Sequence, residues 1–467
     1  MKTVLDLAEA GFCTGCGICA FRAPDALKMA LSEEGQFRPQ RRGAGDSDAL
    51  PPAAQCPMSG EGPDETAIAA RLWPELPADP QIGRHLTTAA VHLTDDPARL
   101  SSGSGGLVSW LAAELLARKT VDCVLHVRPQ SAQADPADPL FSYRVSRRRD
   151  EISEGKKSRY YPVEMSRVLA DLAASQERAA IIALPCFIKG LRGAIRDGAL
   201  APERAPVLIG LVCGHLKSAR FADYLAWQRD VPPGGLGGCD FRHKLTDRPA
   251  SEYGFALRRR GAPPGTAPEV VPMRALNGHD WGEGLFRLPA CEFCDDVLAE
   301  CADVAIGDAW LPEFVQDPRG ENIVVTRSPA LAALIEEGRL RGDLAVTPLT
   351  PERVAQSQAG GLRHRREGLA HRLAKRKAQS AWLPRRRVVP SLAPDRARRA
   401  IYDLRHEIAL ACHPAFRAAR ASGNIGQFEA ELAPLLRRLR RQTHGPLMRR
   451  VLRRLRRLAL SLWRKAG

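Results

Sequence analysis

Three cysteines within seven residues, Cys13-Thr-Gly-Cys16-Gly-Ile-Cys19, constrain this chain more than any other feature. The C-x2-C-x2-C spacing is that of bacterial ferredoxins, in which three thiolates wrap one 4Fe–4S cube. Gly15 and Gly17 permit the tight turns of such a wrap. In two-cluster ferredoxins a fourth Cys follows after three residues, then Pro, and serves the other cluster. Here that place reads Ala23-Pro24. The proline is kept and the thiol is gone, so a single cluster is expected. Its fourth ligand should come from a remote Cys-Pro, and Cys56-Pro57 fits. A zinc knuckle on the same four cysteines is the alternative, although zinc sites favour paired C-x2-C.

The chain has 12 cysteines in 467 residues. It opens MKTVLDLAEA, with acidic residues where a signal peptide needs an apolar core. No stretch has the length and purity of a membrane-spanning helix. A cytoplasmic location is therefore expected, where clustered cysteines mean metal or catalysis more often than disulfides. The net charge of +16 is unevenly placed. From residue 351 onward, 29 Lys+Arg face 7 Asp+Glu, whereas the first 350 residues carry 40 against 46. The body is mildly acidic, and nucleic-acid binding is not expected of it.

Apolar runs at 89–93, 121–127, 179–184 and 207–212 read as strands, and 107–116 and 163–172 read as helices. Strand-like pieces recur at 304–306 and 322–326, and from about Asp395 the chain is Arg-rich with a helical pattern. The expected class is α+β. Residues 1–60 form a single-cluster ferredoxin-like module, 61–84 a linker, 85–235 and 236–350 two parts of an α/β body, and 351–467 a basic helical tail.

Four further cysteines stand in distinctive contexts. Cys186 and Cys213 each follow a strand, where α/β bodies place their sites, and Cys291 and Cys294 form a C-x2-C pair. Each strand-end cysteine read alone could equally be a buried apolar residue. Cys123, Cys239 and Cys412 lack a partner context, and Cys301 sits on the way into the next strand. Ser101-Ser102-Gly103-Ser104-Gly105-Gly106 precedes a helical run, an arrangement that can present N–H groups to an anion but is also that of a plain loop.

The segments at 101–116, 156–165, 184–195, 211–225, 240–244 and 291–310, in content and order, resemble the coenzyme F-420 hydrogenase/dehydrogenase beta-subunit family, whose relatives include 7-hydroxymethyl chlorophyll a reductase. The resemblance covers about residues 88 to 330. It implies that Cys186, Cys213, Cys291 and Cys294 hold a second 4Fe–4S cluster, with Cys301 as a lower-ranked substitute. It implies FAD contacts at Ser102, Gly103, Ser104, Gly105 and Gly106, and a second stretch at Lys157, Ser158 and Tyr160. The segment with Asp308 and Trp310 would close the core near the cofactors. His215 and Lys217 are weak candidates for proton donors.

These parts together describe a converter between one-electron and hydride chemistry. The leading expectation is an oxidoreductase taking electrons from ferredoxin or a similar carrier, through two clusters and FAD, to an organic acceptor. One alternative uses coenzyme F-420 as substrate. Another is a cluster-bearing scaffold at the membrane, in surface-polysaccharide assembly. The last residues, GPLMRRVLRRLRRLALSLWRKAG, set Leu and Val at helical spacing among arginines. That pattern suits either a peripheral anchor on the inner membrane face or a helix packed on protein.

Overall fold

The computed structural model describes residues 1–43, 50–130, 135, 138–263 and 265–444. Eight strands build one mixed sheet: β1 (Thr87–Leu93), β2 (Cys123–Pro129), β3 (Phe141–Ser146), β4 (Ala179–Ala183), β5 (Val207–Leu211), β6 (Val304–Asp308), β7 (Asn322–Thr326) and β8 (Leu344–Pro348). Their order is β8-β1-β7-β6-β5-β4-β2-β3. The central β2, β4, β5 and β6 run parallel. The outer strands pair antiparallel on both sides. The architecture is mixed α+β around one large sheet.

The four central strands read as apolar runs because both faces are covered. Side chains alternate between the two faces with period two. Val124, Ile182, Ile209, Val304 and Val324 pack with helices Leu107–Ala117 and Pro329–Leu340. Leu125, Ile181, Leu208, Ala305 and Ile323 face the larger core on the other side. Parallel strands share one carboxyl edge, so the loops after β2, β4, β5 and β6 meet there.

The amino-terminal segment is docked on the body. Helix Ile18–Arg22 lies on helix Pro185–Arg196, and a Cβ at Gly190 would come within 2.4 Å of Ile18 Cδ1. Met165 N–H donates to the Cys16 carbonyl at 3.1 Å, and Cys16, Ile18 and Phe21 belong to the main core. The stretch expected as a linker contains helix Glu65–Leu72, with Glu65 buried and ion-paired to Lys189 at 3.1 Å. Its polar composition serves a buried charge network rather than a flexible connection.

Residues 351–444 are likewise built into the core. Five helices follow β8: Pro351–Ser357, Ala359–Arg365, Glu367–Ala378, Arg396–Ser422 and Ile425–His444. Ile408, Cys412, Phe416 and Phe428 join the main cluster, and Phe416 and Phe428 stand 5.1 and 5.4 Å from the Phe286 ring. The many arginines hid an apolar stripe that faces the body. The amphipathic segment at the carboxyl end, 445–467, lies outside the described residues.

Candidate functional site

The C-x2-C-x2-C run closes on itself as its glycines require. Gly15 and Gly17 have φ of +75° and +82°. A Cβ on Gly15 would meet the Phe37 carbonyl at 2.8 Å, and one on Gly17 the Ser166 N–H group at 2.9 Å. Cys56 arrives from the turn at Ala53–Gln55. Cys13, Cys16, Cys19 and Cys56 then line one small void, with Leu7, Ile18 and Met29 around them. Burial pushes the Cys13 thiol up to about 12, and nearby Cys56 adds to it. Burial also raises the Cys19 thiol well above its ordinary value, with Cys16, Cys13 and Cys56 contributing. Four thiols around one void, Cys16 buried and the other three partly so, are a donor set that a metal centre could take as thiolates.

The second set assembles from three places. Cys186 stands in the first turn of helix Pro185–Arg196 after β4. Cys213 follows β5, and its N–H donates to the Val297 carbonyl at 3.0 Å. Cys291 and Cys294 come from the turn Pro289–Phe293 and its end. Burial raises the Cys186 thiol, with Cys294, Cys213 and Cys291 as the nearest charges. Leu216 N–H donates to Cys291 Sγ at 3.3 Å. The Arg365 guanidinium reaches Cys213 Sγ at 3.7 Å. The two sets are neighbours, since helix Ile18–Arg22, which carries Cys19, lies on helix Pro185–Arg196, which carries Cys186. Cys301 is fully buried among Glu65, Asp296, Lys189 and Glu300, and its surroundings are carboxylates and an ammonium rather than the other thiols. Cys123 lies in β2 and Cys412 in a core helix.

A cleft of about 250 Å³ opens at the carboxyl edge of the sheet. It is lined by Ser102, Gly103, Ser104 and Gly106, by Lys157, Ser158 and Tyr160, and by Cys213, His215 and Lys217. Gly105 lies beneath the loop. A Cβ there would meet the Val91 carbonyl at 2.6 Å, so only glycine lets the loop rest on the strand ends. Ser104 donates its hydroxyl to the Glu321 carbonyl at 2.7 Å, and Ser102 to Ala98 at 2.8 Å. Those hydroxyl hydrogens are spent within the fold. Lys244 Nζ binds the Arg99 and Ser104 carbonyls at 2.5 and 2.8 Å, fixing both ends of the loop. Asn322 Oδ1 accepts from Leu107 N–H at 3.1 Å, capping the helix that Gly106 opens without a side chain.

The cleft wall is cationic and aromatic. His215 stacks on Trp281 at 4.3 Å, and Tyr160 packs against the same indole at 4.5 Å. Burial pushes the His215 imidazole well below its ordinary value, with Arg287 and Lys217 adding to it. Lys217 is 1% exposed, donates to the Leu285 carbonyl at 2.5 Å, and lies 4.6 Å from the Trp281 ring centre. Burial, then Arg287, brings its ammonium down to about 7. Arg242 pairs with Asp308 at 2.5 Å and stands 5.2 Å from the Trp310 ring, and the Trp310 backbone N–H donates to Ser357 Oγ at 2.9 Å. Trp310 thus supports the wall from behind. His215 Nε2, Arg159 Nε and Arg242 Nε are buried without a protein partner, and all three residues line the cleft. Trp281, Arg242, Asn322 and Arg365 were not legible as site residues in the sequence. Only Arg242 lies in one of the segments that carried the resemblance, 240–244, where nothing marked it as a site residue, and the fold brings all four together.

Residues 88–170 match the model of the coenzyme F420 hydrogenase/dehydrogenase beta-subunit N-terminal region, and 176–352 that of its C terminus. Together they span more than half of the 467 residues. Among solved structures, the chain is similar to one in the xenon-derivatised F420-reducing [NiFe] hydrogenase complex from Methanosarcina barkeri. The identity is 14% and the TM-score 0.49, over 66% of this chain and 99% of that one. No curated protein sequence matches. The two matches cover all but the first residue of the sheet and the cleft residues from Ser102 to Asn322, and the chain belongs to the coenzyme F420 hydrogenase/dehydrogenase beta-subunit family, a family of redox enzyme subunits.

Proposed function

We propose that this chain is an iron–sulfur flavoprotein subunit that exchanges electrons with a deazaflavin coenzyme, one 4Fe–4S cluster sitting on each thiol set. The observation that carries this reading is Cys213. It belongs to the second thiol set and also lines the cleft, so a one-electron centre and a planar ligand would meet at one residue. The orphaned Nε2 of His215 and Nε groups of Arg159 and Arg242 suit a ligand rich in acceptors and phosphate, as FAD is. Bound flavin supplies the conversion between single electrons and hydride. The Ser/Gly loop would hold the cofactor through backbone groups, Trp281 would exclude water, and Lys217 would hold a proton close to the cleft. A path through the first set would bring electrons from the amino-terminal side.

The donor and acceptor read first from the sequence were ferredoxin and an organic molecule. The family favours the deazaflavin alternative. For the thiol sets, zinc is the rival. A zinc ion at about 2.3 Å from each sulfur draws its ligands close together. The C-x2-C-x2-C run of the first set favours the cube, because zinc sites favour paired C-x2-C. Partner subunits fit a member of this family. Among the described residues no helix is long and apolar enough to cross a membrane.

The test is anaerobic purification followed by iron, sulfide and flavin analysis and a coenzyme F420 assay. About eight irons per chain, one flavin, and F420 turnover with an artificial dye are expected. Zinc in place of iron would overturn the cluster reading. A flavin-free, inactive chain would point to the scaffold.

A further inference from the structure

Helix Ala359–Arg365 follows the family-matched residues 88–170 and 176–352, and its last residue carries a guanidinium into the second thiol set. Arg365 is 2% exposed. Its Nη2 lies 3.7 Å from Cys213 Sγ and donates to the Gly214 carbonyl at 2.8 Å. Its Nε is buried without a partner. Other guanidiniums of this segment have carboxylates: the buried Arg372 pairs with Glu292 at 3.1 Å and the part-buried Arg387 with Glu300 at 2.7 Å. Among the described residues Arg365 has no carboxylate at ion-pairing distance. A buried cation needs a compensating charge, and the groups that act most strongly on Arg365 are Cys294, Cys213 and Cys291, followed by Asp296.

We propose that Arg365 is the counter-charge of the cluster held by Cys186, Cys213, Cys291 and Cys294, and that it raises that cluster's reduction potential. A cube bound by four thiolates is anionic, and one-electron reduction makes it more so. A fixed positive charge in a buried site therefore favours the reduced form. The residue acts by position and takes no part in bond making. Because it arrives on a helix beyond the family-matched body, this carboxyl-terminal segment sets the driving force between the first cluster and the flavin cleft. The inference rests on the proposal that these four cysteines hold a cluster.

The test is a redox titration followed by electron paramagnetic resonance on the full chain, with iron and sulfide counted in each sample. Arg365→Gln should lower the reduced-to-oxidised ratio of the second cluster at a fixed poise about tenfold, which is about 59 mV for a one-electron couple. Arg365→Lys, which keeps the charge, should stay within about threefold of wild type. The first cluster should move little in either variant. An unmoved potential in Arg365→Gln with about eight irons retained overturns the inference and leaves the cluster reading standing. So does a Lys variant that falls as far as the Gln variant. If the Gln variant loads no second cluster, loading in the Lys variant supports the counter-charge, and loss in both overturns it. Wild-type protein with only about four irons overturns the cluster reading and this inference together.

Discussion

Lys217→Met tests the electrostatics of the cleft wall through the pH dependence of stability. The Lys217 ammonium falls from 10.5 to about 7 in the folded chain because its site is dry and Arg287 stands beside it. A base whose folded pKa is lowered binds fewer protons folded than unfolded between those values. Stability therefore rises with pH from about 7 to 10.5, and the penalty is fully present below 7. Over the whole window the shift is worth roughly 5 kcal/mol at about 1.36 kcal/mol per unit. Between pH 7 and pH 9 the wild type should gain roughly 2–3 kcal/mol that the Met variant does not. Methionine also leaves the Leu285 carbonyl without its donor, a cost of about 1–3 kcal/mol that does not depend on pH. The useful quantity is therefore the difference between the two proteins at pH 7 minus that at pH 9, in which the carbonyl term and every other titrating group cancel. Anaerobic melting curves followed by near-ultraviolet circular dichroism give it. The variant should compare best with wild type at pH 7 and worst at pH 9. A difference that stays constant between the two pH values would refute the buried, depressed ammonium.

Gly190→Leu should wedge the amino-terminal module off the body, because even a Cβ would come within 2.4 Å of Ile18 and 3.4 Å of Pro57. The expected loss is about 1–3 kcal/mol, with electron exchange between the two clusters slowed in freeze-quench spectra. An unchanged rate would show that the close approach does not set the electron path. Deleting residues 446–467 should leave both clusters and the flavin in place and weaken binding to anionic vesicles, because basic residues contribute on the order of 1 kcal/mol each there. Unchanged co-sedimentation with a lowered melting point would instead mean that the segment packs on protein.

The local parts of this protein were legible in its sequence. The cysteine spacing announced a wrapped loop, because its glycines and thiols lie within seven residues of one another. The strands of the central sheet stood out as apolar runs, because covering both faces removes the alternation that water would impose. Asp395 was the boundary of the long helix, and its side chain caps the Arg398 N–H at 2.7 Å. Only the tertiary structure decided how these parts combine. Composition made residues 61–84 a linker and 351–467 a tail, yet Glu65, Arg365 and Arg372 are buried. Burial of a charge depends on its partner, and Lys189, the thiols and Glu292 lie far away in sequence. For the same reason no local signal marked Trp281 or Asn322. Periodicity reports which face of an element is apolar, while the identity of whatever meets that face is settled by chain crossing and packing over long separations.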